Sequence, residues 1–339
     1  MELLTIGEFA RASRLSAKAL RLYDELGLLR PAVVDPFNGY RRYGPEQLET
    51  ARLVAWLRRI GMPLAEIRAV VGMPGAQAAA AVAGYWRRVE ADTDDKRQLA
   101  AVLVEYLSGK GATVSTSLAV TYAVRTDRGL VRDANQDFAF AGEKVFAVAD
   151  GFGHHGTRAS RAAVEAVRQV AVGDLLNAMD DAANRASEAV RGLDDSGTTL
   201  TALIWEGSQL GLVHIGDSRA YLLRGGELFQ ITHDDTVVQS MVDEGKLTPA
   251  EITSHPQRSI LVKALTGGVS PGVQVRDVQA GDRYLLSSDG LHTVLDLGTI
   301  RRVLAEDEPQ QAVDRLVRLA NEAGGPDNIS CVVAHLIAQ

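Results

Sequence analysis

The sequence has little cysteine and no long hydrophobic segment. Its 339 residues include one cysteine, Cys331, which excludes an intrachain disulfide and a cysteine-based zinc site. No uninterrupted apolar run approaches the roughly 18 residues that a membrane-spanning helix requires. The first residues, MELLTIGEFARAS, lack the apolar stretch of a secretory signal. We therefore expect a cytoplasmic protein without a membrane partner, in which Cys331 is a buried structural thiol in the apolar run Ile329–Val333.

The composition also lacks the biases of fibrous or disordered chains. There are 10 prolines and 32 glycines, and 46% of the residues are hydrophobic. The length is sufficient for two folded units and a connector. Residues 1–72 carry 11 Lys and Arg against 8 Asp and Glu, whereas the rest carry 25 against 35. A basic head on an acidic body predicts different partners for the two parts.

Residues 1–72 have the pattern of short helices around a β-hairpin. Thr5 and Glu8 have the spacing of a capping box at a helix start. The turn signals DPFNG separate two extended stretches, 28–34 and 40–43, which predicts a small hairpin or wing. We place the first domain at 1–72.

A long helix is predicted over 76–107, within a connecting region 73–112. It has two apolar patches at helical spacing: Val82, Tyr85, Trp86 and Val89, and then Leu99, Val102, Leu103 and Tyr106. Ser108–Ala112 predicts a flexible joint. In 113–339 apolar strand-like runs alternate with helical stretches, which predicts a mixed α+β domain with layered sheets.

Several apolar runs in the second domain end in an aspartate. The sequences VFAVAD, LVHIGD and YLLSSD end in Asp150, Asp217 and Asp289, and Asp137 and Asp327 lie beside two further runs. Each aspartate alone is typical of a turn. Together they would repel one another unless cations neutralised them, and carboxylates without a His or Cys cluster favour Mg²⁺ or Mn²⁺. Two such ions could support in-line attack at phosphorus.

Residues 118–337 resemble the metal-dependent type-2C Ser/Thr protein phosphatases (PPM type). The resemblance is carried, in family order, by DRGLVRDANQD, VADGFGHH, SGTTLTA, LVHIGDSRAYLLR, ITHDDTVVQSMVDEG, YLLSSDG and GGPDNIS. It implies a layered α-β-β-α fold with a central β-sandwich. The implied activity is hydrolysis of phosphoserine and phosphothreonine in proteins, such as the products of Ser/Thr kinases, with two Mn²⁺ or Mg²⁺ ions.

The resemblance also implies roles for individual residues. Asp150 occupies the position of the family's aspartate that bridges the two ions, and the Gly151 carbonyl oxygen is expected to coordinate one of them. Asp289 and Asp327 complete the coordination shell of the second ion, and Asp137 holds water molecules that are bound to the ions. Asp217 resembles the aspartate of a third, weaker site in bacterial members.

Two further residues match positions that act on the substrate. Arg132 takes the place of the arginine that binds the substrate phosphate, for which a guanidinium fork is suited. His155 takes the place of the histidine that protonates the leaving alcohol. Gln136 stands where the family often has glutamate, which removes one negative charge. The segment 232–265 resembles the flap beside the cleft.

The head resembles the winged helix-turn-helix of MerR-type regulators. The specific pieces are YDELGLLRP and GYRRY. By this resemblance the second helix enters the major groove and the wing contacts backbone phosphates. The implied groove residues are Lys18, Arg21 and Tyr23, and the implied wing residues are Tyr40, Arg41 and Arg42. The helix 76–107 takes the place of the family's dimerising antiparallel helix, which predicts a homodimer.

The sequence leaves three interpretations. The first is a Mg²⁺/Mn²⁺-dependent protein phosphatase with a MerR-like DNA-binding regulatory head. The second is a MerR-type transcriptional regulator that uses the phosphatase domain as a sensor. The third is a dimeric scaffold whose winged head binds protein. Intact metal aspartates favour the first over the second, and the basic groove residues favour DNA over the third.

Overall fold

The structure is a computed structural model that describes residues 3–107, 118–243, 247–248, 251–252 and 254–338. The chain forms two compact units, Met1–Asp92 with Val237–Arg258, and Thr93–Thr236 with Ser259–Gln339. The predicted joint, Ser108–Ala112, lies outside the described residues. Over the described ranges, no helix is both long enough and apolar enough to cross a bilayer.

The N-terminal part of the chain contains short helices, a small antiparallel sheet and one long helix. The helices are α1 (Ile6–Ser13), α2 (Ala17–Glu25), α3 (Gln47–Arg59), α4 (Leu64–Val71) and α5 (Gly75–Leu107). The sheet has the order β1-β3-β2 and consists of β1 (Leu4–Thr5), β2 (Val33–Val34) and β3 (Arg41–Tyr43).

Local signals in the sequence determine where these elements begin. The predicted capping box is confirmed, because the Glu8 backbone N–H donates to Thr5 Oγ1 and the Thr5 N–H donates to the Glu8 carboxylate at 2.8 Å. The predicted hairpin is also confirmed, with β2 antiparallel to β3. Its turn passes through Gly39 at φ +70°, a value that favours glycine.

The head has its own apolar core, in which the rings of Phe9 and Tyr43 stack with centroids 4.5 Å apart. The predicted helix over 76–107 is confirmed as α5. Its first apolar patch, however, packs largely on the head itself. Tyr85 is only 8% exposed and donates its hydroxyl to Ile60 O at 3.2 Å, whereas Trp86 remains exposed. The side chains of the second patch, from Leu99 to Tyr106, lie outside the described residues.

The phosphatase-like part contains two antiparallel sheets and flanking helices. Its strands are β4 (Leu118–Asp127), β5 (Asp137–Ala141), β6 (Val145–Phe152), β7 (Gly197–Thr198), β8 (Leu200–Glu206), β9 (Gln209–Ile215), β10 (Arg219–Arg224), β11 (Glu227–Gln230), β12 (Gly272–Asp277), β13 (Arg283–Ser287) and β14 (Ile329–Ala338). Its helices are α6 (Gly156–Arg168), α7 (Leu175–Ala189), α9 (Asp289–His292), α10 (Leu297–Glu306) and α11 (Pro309–Glu322), whereas α8 (Val237–Asp243) belongs to the compact unit that contains the head.

The strand orders are β11-β10-β13-β14-β4 and β12-β9-β8-β6-β5, with β7 paired to β6. Side chains of β6 alternate between two apolar clusters, as the period of a strand requires. Ala147 and Ala149 pack with α6 and α7, whereas Phe146 and Val148 pack in a cluster shared with β13 and β14 of the other sheet. A third cluster joins that other sheet to α10 and α11. The predicted mixed α+β class is confirmed.

Candidate active site

Four of the predicted metal-binding aspartates line one cavity of about 1010 Å³ together with Arg132. Asp150 lies in β6, Asp217 follows β9, and Asp289 follows β13. The fourth, Asp327, precedes β14. The strand ends therefore deliver their carboxylates to one place, as the repeated pattern of apolar run and aspartate predicted.

Asp150 and Asp137 lie opposite each other in the β5–β6 register. Asp137 is 5% exposed and lies behind the lining residues, with one carboxylate oxygen accepting from Ser288 Oγ at 2.6 Å. The backbone at Asp150 is fixed by Thr199, whose N–H donates to Asp150 O and whose Oγ1 accepts from Asp150 N, both at 2.9 Å. Gly151 is buried beside it, with its N–H directed to Gln136 O at 3.2 Å.

Asp289 and Asp327 are brought together by close backbone packing. Gly290, next to Asp289, lies against Asn328, and a Cβ at Gly290 would collide with the Asn328 carbonyl oxygen. The β13–β14 pairing continues into this region, because Ser288 N donates to Ser330 O at 3.1 Å. Gly290 is therefore required because any side chain would prevent the close approach of the two backbone segments.

The turn that carries Asp217 is fixed by a partly buried ion pair. Arg219 donates to Asp234 through three N–H···O contacts of 2.6 to 3.1 Å. Burial opposes the charge of Arg219, but the Asp234 carboxylate raises its pKa. Asp235, the next residue, accepts from Gly216 N at 3.2 Å. The residues on either side of Asp217, Gly216 and Arg219, are thus both fixed by hydrogen bonds to neighbouring aspartates.

The carboxylates of the cavity repel one another. Burial raises the pKa of Asp137 and Asp150, and the pKa of Asp289 is raised by burial and by the charge of Asp327. The pKa of Asp217 is raised by burial and by the charge of Asp289. In addition, Asp137 Oδ1 and Asp289 Oδ1 are buried without a hydrogen-bond partner. Buried anionic oxygens are costly unless a cation neutralises them, so this donor set fits hard divalent cations.

The aspartates do not form a closed cage. Among the described residues, no group of three or more Asp, Glu, His or Cys side chains is arranged to hold a metal ion directly. Arg132 Nη2 lies 2.5 Å from Asp327 Oδ2, so one candidate ligand is engaged by the guanidinium. Mg²⁺ usually keeps several waters and only one or two carboxylates in its shell. Such a hydrated ion matches an open arrangement of carboxylates better than a dedicated cage.

Two polar side chains next to the aspartates hold this arrangement together, and one of them, Asn328, was not singled out from the sequence. Asn328 accepts from Gln136 N at 2.8 Å and donates to the carbonyls of Arg128 and Ala134, both at 2.9 Å. It therefore fixes the loop that carries Arg132. Gln136 Nε2 donates to Gly153 O at 2.9 Å, which a glutamate could not do. The side-chain amides in the sequence stretches GGPDNIS and ANQD were the signal from which these hydrogen bonds could have been predicted.

His155 does not lie with these residues. It precedes α6, where its backbone N–H donates to Ser196 Oγ at 2.9 Å, and its side chain is exposed. Among the described residues, neither His155 nor His154 lines the cavity. The role of His155 as proton donor stays a prediction.

The head presents some of its predicted DNA-contact residues and not others. Lys18 and Arg21 are exposed one turn apart on α2, and Tyr40 and Arg42 are exposed on the wing. The Tyr23 ring is 5% exposed because it packs in the head's core, and its contact with the groove stays a prediction.

Arg41 is also placed differently from an exposed phosphate contact. Its Nε donates to Asp24 at 2.7 Å and both side chains are partly buried, so Arg41 braces the wing against α2. Sequence patterns alone do not reveal this partner, because Asp24 is 17 residues away.

Comparison with known families gives two matches. Residues 127–333 match the model described as protein phosphatase 2C, and residues 4–73 match that of the MerR HTH family regulatory proteins. The fold, the cavity and the first match together define the class, and the chain belongs to the protein phosphatase 2C family. Its head matches the MerR helix-turn-helix family.

Individual relatives resemble the phosphatase part. The serine/threonine protein phosphatase PstP of Mycobacterium tuberculosis is 47% identical over 235 residues, which cover 65% of this chain and 46% of the relative. The chain thus spans less than half the length of that relative. Protein phosphatase PhpP of Streptococcus pneumoniae is 32% identical over 62% of this chain and 95% of the relative.

Solved structures resemble the same part. A crystal structure of M. tuberculosis PstP/Ppp matches with a TM-score of 0.62 and 48% identity, over 65% of this chain and 99% of that one. The catalytic domain of PstP in complex with two manganese ions matches with a TM-score of 0.61 and 44% identity, over 65% of this chain and 100% of that one.

Proposed function

We propose that the chain is a metal-dependent protein serine/threonine phosphatase regulated by a DNA-binding head. The observation that supports it most is the cavity in which Asp150, Asp217, Asp289 and Asp327 surround a position reached by Arg132. We interpret the two sheets, which share an apolar cluster, as the layered α-β-β-α sandwich expected of phosphatases of this type.

Two Mn²⁺ or Mg²⁺ ions would be held by five groups, Asp137, Asp150, Gly151, Asp289 and Asp327, and a third ion would be held at Asp217. When bound, the ions supply a water of lowered pKa and neutralise phosphate charge. The orphaned oxygens of Asp137 and Asp289 are the part of the donor set that most needs such a partner.

Arg132 orients the substrate. Its guanidinium engages Asp327 in this structure, and a phosphate also offers this donor fork a pair of oxygens, with more negative charge. Exchange of Asp327 for phosphate brings the phosphate into the cavity and leaves a carboxylate oxygen of Asp327 available. In the reaction, water attacks phosphorus and keeps one hydrogen on the phosphate that forms, while its other proton passes to solvent. The bond to the serine or threonine oxygen breaks, and that oxygen takes a proton. We propose His155 as the donor, which requires movement of its side chain towards the cavity.

The head would bind DNA through the exposed Lys18 and Arg21 on α2 and through Tyr40 and Arg42 on the wing. We propose that α5 pairs with its counterpart in a coiled-coil homodimer, so that two heads meet a pseudo-palindromic site. The chain would act in the bacterial cytoplasm, where both phosphoproteins and DNA are accessible.

The competing function is a MerR-type transcriptional regulator that uses the phosphatase part as a sensor without turnover. The cavity argues against it, since a binding module has no need for several buried carboxylates that repel one another.

The two functions are separated by a phosphopeptide hydrolysis assay with Mn²⁺, with Mg²⁺ and with chelator, repeated with candidate promoter DNA. The enzyme releases inorganic phosphate with either ion and stops on chelation. Binding of phosphopeptide without phosphate release at any metal concentration would support the sensor instead.

A further inference from the structure

The entrance of the cavity carries exposed apolar side chains. Val131 is 67% exposed, Val262 55%, Val269 38% and Phe152 36%, and all four line the same cavity as Arg132. We call these four residues the apolar rim. Single exposed apolar residues are ordinary on protein surfaces, but several around one functional cavity indicate a binding surface.

Hydrogen bonds fix the backbone at or next to three of the rim residues. Leu130 N donates to Gly325 O at 2.8 Å, which anchors the chain next to Val131. Val262 N donates to Asp235 O at 2.7 Å, and Ser187 Oγ donates to Val269 O at 3.1 Å. The exposure of these side chains is therefore a property of a defined backbone, and little ordering is required when a ligand covers them.

The position of the Phe152 ring depends on a glycine. Phe152 pairs with Gly197 between β6 and β7, and a Cβ at Gly197 would lie 2.6 Å from Phe152 Cζ. Gly197 thus makes room for the ring at the edge of the cavity. A side chain there would push the ring away from its place in the rim.

We propose that the apolar rim binds the side chains next to the phosphorylated residue, and that the preferred substrates are phosphopeptides with apolar residues beside the phosphoserine or phosphothreonine. The inference rests on the proposed phosphatase activity. Val131 directly precedes Arg132, and neighbouring residues of an extended peptide lie only about 3.8 Å apart between Cα atoms. A phosphate held by Arg132 therefore brings flanking side chains to the rim.

The test compares two phosphothreonine peptides that differ only in the residues adjacent to the phosphothreonine, valine in one and serine in the other. Val131→Thr and Val262→Thr keep the side-chain shape and replace one methyl group by a hydroxyl. Val273→Thr is the matched control, because Val273 is an exposed valine on β12 that does not line the cavity. Hydrolysis of p-nitrophenyl phosphate, which has no flanking residues, normalises each preparation.

The unaltered chain should favour the valine peptide in kcat/KM by about tenfold, the size expected for small apolar contacts. Each rim variant should lower this preference by a few fold, whereas Val273→Thr should retain it. Equal rates on the two peptides, with metal-dependent hydrolysis intact, would overturn the inference and leave the phosphatase activity standing. A chain that hydrolyses neither peptide nor p-nitrophenyl phosphate with Mn²⁺ would overturn both.

Discussion

Arg132 lies between two negative partners, the carboxylate of Asp327 and, in the proposed reaction, the phosphate of the substrate. Its pKa is raised by the hydrogen bond to Asp327, so it remains a cation throughout the working pH range. A group that binds the phosphate of the ground state and of the transition state alike affects mainly KM.

Arg132→Ala should therefore raise KM for phosphopeptide by about tenfold or more while metal activation is retained. Steady-state kinetics at several Mn²⁺ concentrations provide the measurement. Arg128→Ala is the matched control, because Arg128 lies on the same loop and its guanidinium donates at 3.5 Å to Asp133 O, outside the carboxylates of the cavity. Unchanged KM and kcat in Arg132→Ala would show that the arginine is only a surface charge.

Cys331 illustrates a residue whose environment was predictable. The sequence placed it in an apolar run, and it is fully buried in β14, where burial raises the pKa of its thiol to about 12. Because only the thiolate is reactive, the native chain should not react with a thiol reagent at pH 8 and should react once unfolded in guanidinium. Rapid stoichiometric labelling of the native protein would contradict this burial.

The wing is an element whose two arginines have different tasks. Arg42 is exposed and Arg41 is paired with Asp24. Arg42→Ala should weaken DNA binding on all sequences and lower the slope of log affinity against log salt by about one, without a change in Tm. Titrations at several salt concentrations measure both quantities.

Arg41→Ala is the companion variant. It should also weaken binding, but together with a lower Tm, because it releases the brace between the wing and α2. An Arg42→Ala variant with the affinity and salt slope of the unaltered chain would remove the wing from the proposed DNA interface.

Local signals predicted the elements better than they predicted contacts between elements. The Thr5 and Glu8 pair and the hairpin turn are determined by neighbours in sequence, and both were confirmed. The strand-end aspartates were predictable for the same reason. The burial of Tyr23 and the Arg41–Asp24 pair depend on how α2 meets the wing, and Asn328 fixes a loop almost 200 residues away in sequence. Contacts between residues so far apart in the sequence cannot be predicted from the periodicity of a helix or a strand.

For the whole molecule, the expected assembly is a dimer through α5. We predict a mass of twice 36.3 kDa by light scattering. Leu99→Asp combined with Leu103→Asp should shift the chain towards the monomer, since both leucines belong to the second apolar patch of the sequence. Ala100→Asp, an exposed position on the same helix, is the matched control. A monomer at micromolar concentration would contradict pairing through α5 and with it two-fold symmetric DNA binding.

Metal-dependent phosphate hydrolysis at the strand-end aspartates is tested by the manganese-stimulated kcat of Asp150→Asn on a phosphopeptide. Asp180→Asn, at an exposed position on α7, removes the same charge outside the cavity and serves as the control. We predict that Asp150→Asn lowers kcat at least about a hundredfold, a barrier increase of about 3 kcal/mol or more. Asp180→Asn should retain the full rate. A folded Asp150→Asn protein with near-normal manganese-stimulated turnover would contradict the assignment of this cavity as the active site.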